Sequence, residues 1–74
     1  MECTLRYMKE GEGDVQLRWS PDKPWEVQEA KAQFERLLKK GYVAHVVKGG
    51  VKTAIREFDP MAKTIVMGPV PVGG

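Results

Sequence analysis

One cysteine, one histidine and one serine are all that this 74-residue chain contains of those three residue types: Cys3, His45 and Ser20. Each scarcity removes a class of chemistry. A lone cysteine cannot close an internal disulfide and fits a reducing compartment, so the expected location is cytoplasmic. Zinc takes three or four ligands, and no second His or Cys stands near the first in sequence, so no metal site is expected. His45 lies within an apolar run, the setting of a packed histidine rather than a base. Cys3 falls on the apolar side of a first strand, where a buried structural thiol is the expectation. The carboxylates Glu10, Glu12 and Asp14 gather at a turn but lack the alternating Asp/Asn spacing of a calcium loop. Gly11-Glu12-Gly13 precedes a strand and not a helix, which sets aside a phosphate-cradling loop. The chain is therefore not expected to be an enzyme.

Long apolar runs are also missing, so no membrane span is expected. Met1-Glu2-Cys3-Thr4 shows no basic region followed by an apolar run, and no signal peptide is expected. Charge of one sign is in short supply: 12 basic and 10 acidic side chains leave a net +2. Phosphate binding needs clustered positive charge, so nucleic acid is not an expected partner. Arg6, Arg18, Lys52 and Arg56 on a sheet face read as a solvated surface. Lys39-Lys40, the one adjacent basic pair, reads as a helix C-terminal feature.

What is present reads as one small α+β domain. Hydrophobic residues make up 42% and charged residues 30%, the profile of a folded chain. Cys3, Leu5 and Tyr7 alternate with Thr4, Arg6 and Met8, and Val15, Leu17 and Trp19 alternate with Gln16, Arg18 and Ser20. Two period-2 runs around a glycine turn predict a β-hairpin. Pro24 suits a first helical position, and Val27, Ala30, Phe34, Leu37 and Leu38 recur at helical spacing until Gly41 stops the pattern. Lys31 with Glu35, and Glu35 with Lys39, stand at ion-pair spacing on its exposed side.

Residues 42–47 are nearly apolar on both faces, which predicts an internal strand covered on both sides. Gly49-Gly50 turns the chain into a strand over 51–58, Asp59-Pro60 turns it again, and 64–67 make a short last strand. The two prolines beyond it predict an arm that cannot join a central ladder. The expected organisation is a single domain over 1–68 and a flexible tail over 69–74. A hairpin, one helix and two to three further strands predict a β-grasp, the helix lying diagonally across a four- or five-stranded sheet. A ferredoxin-like domain would need a second helix, and 48–74 has no period for one. A split barrel stays open.

The end of the chain carries the most specific signal. In Val70-Pro71-Val72-Gly73-Gly74, a proline-stiffened arm leads to two residues without side chains. A carboxylate that must thread into another protein's narrow active site is helped by having no Cβ to clash. The stretch from Thr64 through Gly68-Pro69 to Gly73-Gly74 resembles the ends of the β-grasp sulfur carriers of molybdopterin and thiamine synthesis. More distantly it is similar to ubiquitin and the small prokaryotic ubiquitin-like modifiers. Two features differ from that family: Asp59-Pro60 stands where ubiquitin has a long segment, and residues 56–60 match no motif of the carriers. The resemblance implies a small protein whose Gly74 carboxylate, presented with Gly73, is activated by an E1-like enzyme. That partner would use ATP, while the chain itself binds no cofactor. The product would pass to a target protein or a sulfur acceptor.

Candidate partner-binding residues are Tyr42, Ala44 and Val46, with Val70 and Val72 of the arm. Val43, His45 and Val47 form the alternative face, and one of the two must pack on the helix. The alternative function is a small non-catalytic protein-interaction module, or a homodimer that uses a sheet face. Trp19 and Trp25 bracket the strand-to-helix connection, and core packing is expected of both.

Overall fold

A computed structural model describes residues 2–9, 11 and 13–69. The chain runs β1 (Cys3–Lys9), β2 (Gly13–Trp19), α1 (Pro24–Lys39), β3 (Tyr42–Lys48), β4 (Val51–Ile55) and β5 (Thr64–Pro69). The five strands form one mixed sheet in the order β2-β1-β5-β3-β4. β1 and β5 pair in parallel at its centre, while every other neighbouring pair is antiparallel. The result is an α+β layer of one helix on one sheet, an arrangement compatible with a β-grasp.

The helix starts without a side-chain cap at Lys23 and has Pro24 in its first turn. The Glu26 carboxylate reaches back past the N-cap and accepts the Ser20 backbone N–H at 2.8 Å, tying the first helical turn to the end of the preceding strand. Nearby, the Ser20 hydroxyl bonds to Asp22, and this bond is the largest cause holding the Asp22 carboxyl below its ordinary value. At the far end Gly41 takes φ +94°, the left-handed position that closes helices at the lowest steric cost. Ala30, Phe34 and Leu37 are buried, with Val27 and Leu38 packed at the margin. The exposed ion pairs expected of Lys31, Glu35 and Lys39 do not close among the described residues. Long solvated side chains gain little from such pairs and lose freedom in making them.

Inside the layer Cys3, Leu5, Trp19, Ala30, Phe34, Leu37, Ala44, Ala62, Ile65 and Met67 make one core. Register explains the set. Cys3 lies opposite Trp19, Leu5 opposite Leu17 and Ile65, and Ala44 opposite Met67, so the strands present these side chains to the helix together. Tyr7 is half-buried at the end of the same row.

Four expectations need correction. β4 ends at Ile55, not at 58. Arg56 and Glu57 leave the ladder, and Phe58 turns inward to pack at a tilt against Trp19 (5.1 Å between centroids) and edge-on against Phe34 (5.6 Å). The burial of a phenyl ring outweighs three more residues of edge ladder. β3 is internal to the sheet but covered on one side only, leaving Val43 42% exposed, because the single helix cannot serve both faces. β5 runs on to Pro69, which pairs with Tyr42. There the ladder is ending at the first residue of β3, so a missing N–H costs little. Trp19 is buried as expected, whereas Trp25 is 65% exposed on the first turn of the helix.

The two outcomes for large aromatic residues are separable by mutation. Phe34→Ala should lower unfolding free energy by about 3–5 kcal/mol, whereas Trp25→Ala should change it by less than about 0.5 kcal/mol. Urea denaturation of both variants, followed by circular dichroism, measures the contrast.

Candidate functional site

Alternation along β3 divides the candidate partner residues between two surfaces. Ala44 is 2% exposed in the core, and Tyr42 and Val46 pack against that core from either side. Tyr42, Ala44 and Val46 are thus the face that meets the helix. The expectation that they form a partner surface is corrected: the accessible face carries Val43, His45 and Val47. One face of β3 had to be spent on the helix, and cross-strand register with Ile65 and Met67 decides which.

Transverse rows on the open side of the sheet follow from the registers. Gln16, Arg6, Val66, His45 and Ala54 stand in one line across all five strands. Thr4 lies between Arg18 and Thr64 in the row beyond. Toward the end of β5, Val43 pairs with Gly68, and Met8 is 56% exposed on the same side. Met8, Val43 and Val66 therefore supply apolar surface beside the point where β5 ends at Pro69. Arg6 and Asp14 are ion-paired at 3.0 Å, and Arg18 faces Glu2 at 3.9 Å. Both pairs are largely solvated, so they contribute little stability. They do compensate two of the four cations from which a phosphate-binding face would be built.

The rim at the end of β5 is a second constellation. Tyr7, Lys9, Gln33, Arg36, Leu37, Lys40 and Tyr42 line a surface concavity of about 290 Å³. Tyr42 Oη donates to the Met8 carbonyl at 2.8 Å, tying the start of β3 to the end of β1 across β5. Gln33 Nε2 donates to Tyr7 Oη at 3.1 Å, tying the helix to the same strand. Pro69, the register partner of Tyr42, thus leaves a braced frame with Lys9, Arg36 and Lys40 beside it. Sequence reasoning missed this group because its cations come from two distant places, Lys9 at the end of β1 and Arg36 with Lys40 at the end of the helix. Arg36 and Lys40 left a local signal, as basic residues at the C-terminal end of the helix.

Gly73, Gly74, Val70 and Val72 lie outside the described residues. Cys3 is fully buried, with Sγ 3.8 Å from the Pro60 carbonyl. Burial pushes its thiol above the ordinary value. His45 is half-buried among β-sheet neighbours on the open face. Among the described residues, no three His, Cys, Asp or Glu side chains come together, and no helix is long and apolar enough to cross a membrane.

No family model matches the chain, and neither a curated protein nor a solved structure matches it.

The buried thiol gives a direct test of the closed core. A group whose folded pKa is raised contributes its stability below the ordinary thiol range and loses it as pH rises through the folded value. Cys3 should therefore react with an aromatic disulfide reagent only when the protein opens. The expected rate at pH 8 is at least about a hundredfold below that of the urea-unfolded chain, and it should rise with urea in step with unfolding.

Proposed function

We propose that this chain is a β-grasp carrier or modifier, and that its Gly74 carboxylate is the group on which a partner enzyme acts. The observation that supports this reading most is the position of β5. It is the last strand in sequence yet the middle strand of the sheet, parallel to β1 and flanked by β3. β5 is held by β1 and β3 together through Met67 and by β3 alone through Pro69, so the described part of the strand gives the arm a fixed origin. Residues 70–74 then offer one proline, Pro71, followed by Gly73-Gly74, a composition suited to a narrow channel.

The chemistry is the partner's. The Gly74 carboxylate attacks the α-phosphorus of ATP, pyrophosphate leaves, and an acyl adenylate forms. A sulfide, a thiolate or an amine then displaces AMP to give a thiocarboxylate, a thioester or an amide. This chain supplies no base and no phosphate contact to that step. It supplies presentation: Met8, Val43 and Val66 as apolar contact beside the arm, and Lys9, Arg36 and Lys40 as a cationic rim for an acidic partner surface. A cytosolic E1-like enzyme from the same genome is the expected partner.

A second reading, a non-catalytic interaction module, is favoured by the open sheet face itself, where Val43 and Met8 remain exposed in the isolated chain. The two readings part at the terminus. With the partner enzyme and ATP, the intact chain should support pyrophosphate exchange into ATP, and removal of Gly74 should abolish it. Exchange that survives the deletion would end the carrier reading. A partner captured equally well by the chain lacking Gly73 and Gly74 would favour the module. Val43→Glu should raise KM for the chain in the exchange assay by about tenfold with less effect on kcat.

A further inference from the structure

β4 is an edge strand of unusual simplicity. It reads Val51-Lys52-Thr53-Ala54-Ile55, four of its five residues are exposed, and among the described residues its one ladder partner is β3. Edge strands are ordinarily blunted by charge, proline or a bulge. The other edge, β2, carries Asp14 and Arg18, with Asp14 held to Arg6 of β1. β4 carries Lys52 alone.

The backbone groups that β4 presents outward follow from its hairpin. Gly49 and Gly50 take φ +57° and +80°, the two-residue turn of type I′, and Lys48 pairs with Val51 across it. Lys48 and Val51 are then a hydrogen-bonded pair, and so are Val46 with Thr53 and Ala44 with Ile55, because such pairs alternate along an antiparallel ladder. Val51, Thr53 and Ile55 spend their backbone groups on β3. Lys52 and Ala54 turn theirs to the free edge.

We infer that β4 pairs antiparallel with β4 of a second copy of this chain, about a two-fold axis at Thr53. In that register Lys52 faces Ala54 of the other copy, and each such pair exchanges both backbone bonds, using the groups that the fold leaves outward. Val51, 64% exposed in the single chain, faces Ile55 of the other copy on the helix side as a close, non-hydrogen-bonded β-branched pair. The neighbouring registers are worse. A two-fold at Lys52 sets Lys52 directly against its own copy, and one at Ala54 sets Lys52 against Arg56. Self-complementarity in a single register, with its one charge facing alanine, is what commits this edge to a second copy rather than to an unrelated peptide. The axis stands perpendicular to the sheet, so one sheet continues through both copies with both helices on the same side. β5 lies two strands from the junction, and the end at Pro69 stays open whatever acts on it.

A single strand pair is a small interface, so the dimer is a weak one, with a Kd of about 0.1 mM. Sedimentation equilibrium and amide chemical shifts of the full chain, recorded up to about 1 mM, should show a monomer–dimer equilibrium with shifts concentrated at 51–56. Ala54→Pro removes an outward N–H that β3 does not use. It should weaken the dimer at least about tenfold with an unchanged circular dichroism spectrum. Register is tested by charge: Ala54→Glu should tighten the dimer, and Ala54→Lys loosen it, each by about two- to fivefold. A chain that stays monomeric at the highest concentration overturns the inference. So does a dimer indifferent to Ala54→Pro, or one that Ala54→Glu and Ala54→Lys change alike.

Discussion

Everything in this small fold depends on returning the chain from an edge of the sheet to its middle. β4 ends at the outer edge, and β5 must enter between β1 and β3. The eight residues between Ile55 and Thr64 make that crossing. Trp19 Nε1 donates to the Pro60 carbonyl at 3.0 Å, and the Thr4 N–H donates to the Lys63 carbonyl at 2.9 Å. These two bonds fasten the crossing to both strands of the first hairpin. Within it, the Asp59 side chain accepts the Met61 N–H at 3.0 Å and the Asp59 carbonyl accepts the Ala62 N–H at 3.1 Å, so a compact turn aims the chain at β5.

The crossing also closes the core. Phe58 and Ala62 project inward from it, and Phe58 touches both Trp19 of the sheet and Phe34 of the helix. A chain of this size buries only about 60% of its unfolded surface, so it cannot leave one end of its single layer open. An aromatic cluster that joins sheet, helix and connection uses one contact set for three purposes. The same cluster explains why β4 is short: extending it would carry Phe58 away from its partners.

The elements were legible in the sequence wherever one side chain pattern had one physical outlet. The hairpin, the helix with its Gly41 stop and the Gly49-Gly50 turn follow from alternation, helical spacing and glycine. Patterns with two outlets were not legible. β3 is apolar on both sides, and no local signal says that Tyr42, Ala44 and Val46 meet the helix while Val43, His45 and Val47 do not; only register with β5 decides it. Phe58 could have continued a strand or turned into a core, and the choice depends on Trp19 and Phe34, 39 and 24 positions away (58 − 19 and 58 − 34). The rim of Lys9, Arg36 and Lys40 exists only in the folded chain. Gly73-Gly74 is legible as a sequence feature alone, and it lies outside the described residues.

The sheet separates its duties by face, end and edge. The helix face is fully used by the core, so recognition has three places left: the open face, the ends and the edges. The end beside Pro69 combines apolar surface from Met8 and Val43 with the cationic rim, and the two lie on opposite faces of the same strands. A partner that grips the arm there can contact both sides of the sheet at once, as a clamp does, whereas a partner lying flat on the open face meets one side only. β3 separates the edge at β4 from β5, although Lys52 of β4 lines the same open-face concavity as Met8 and Val66. The proposed activation at the terminus and the proposed association along the edge thus draw on different backbone groups. Neither need weaken the other.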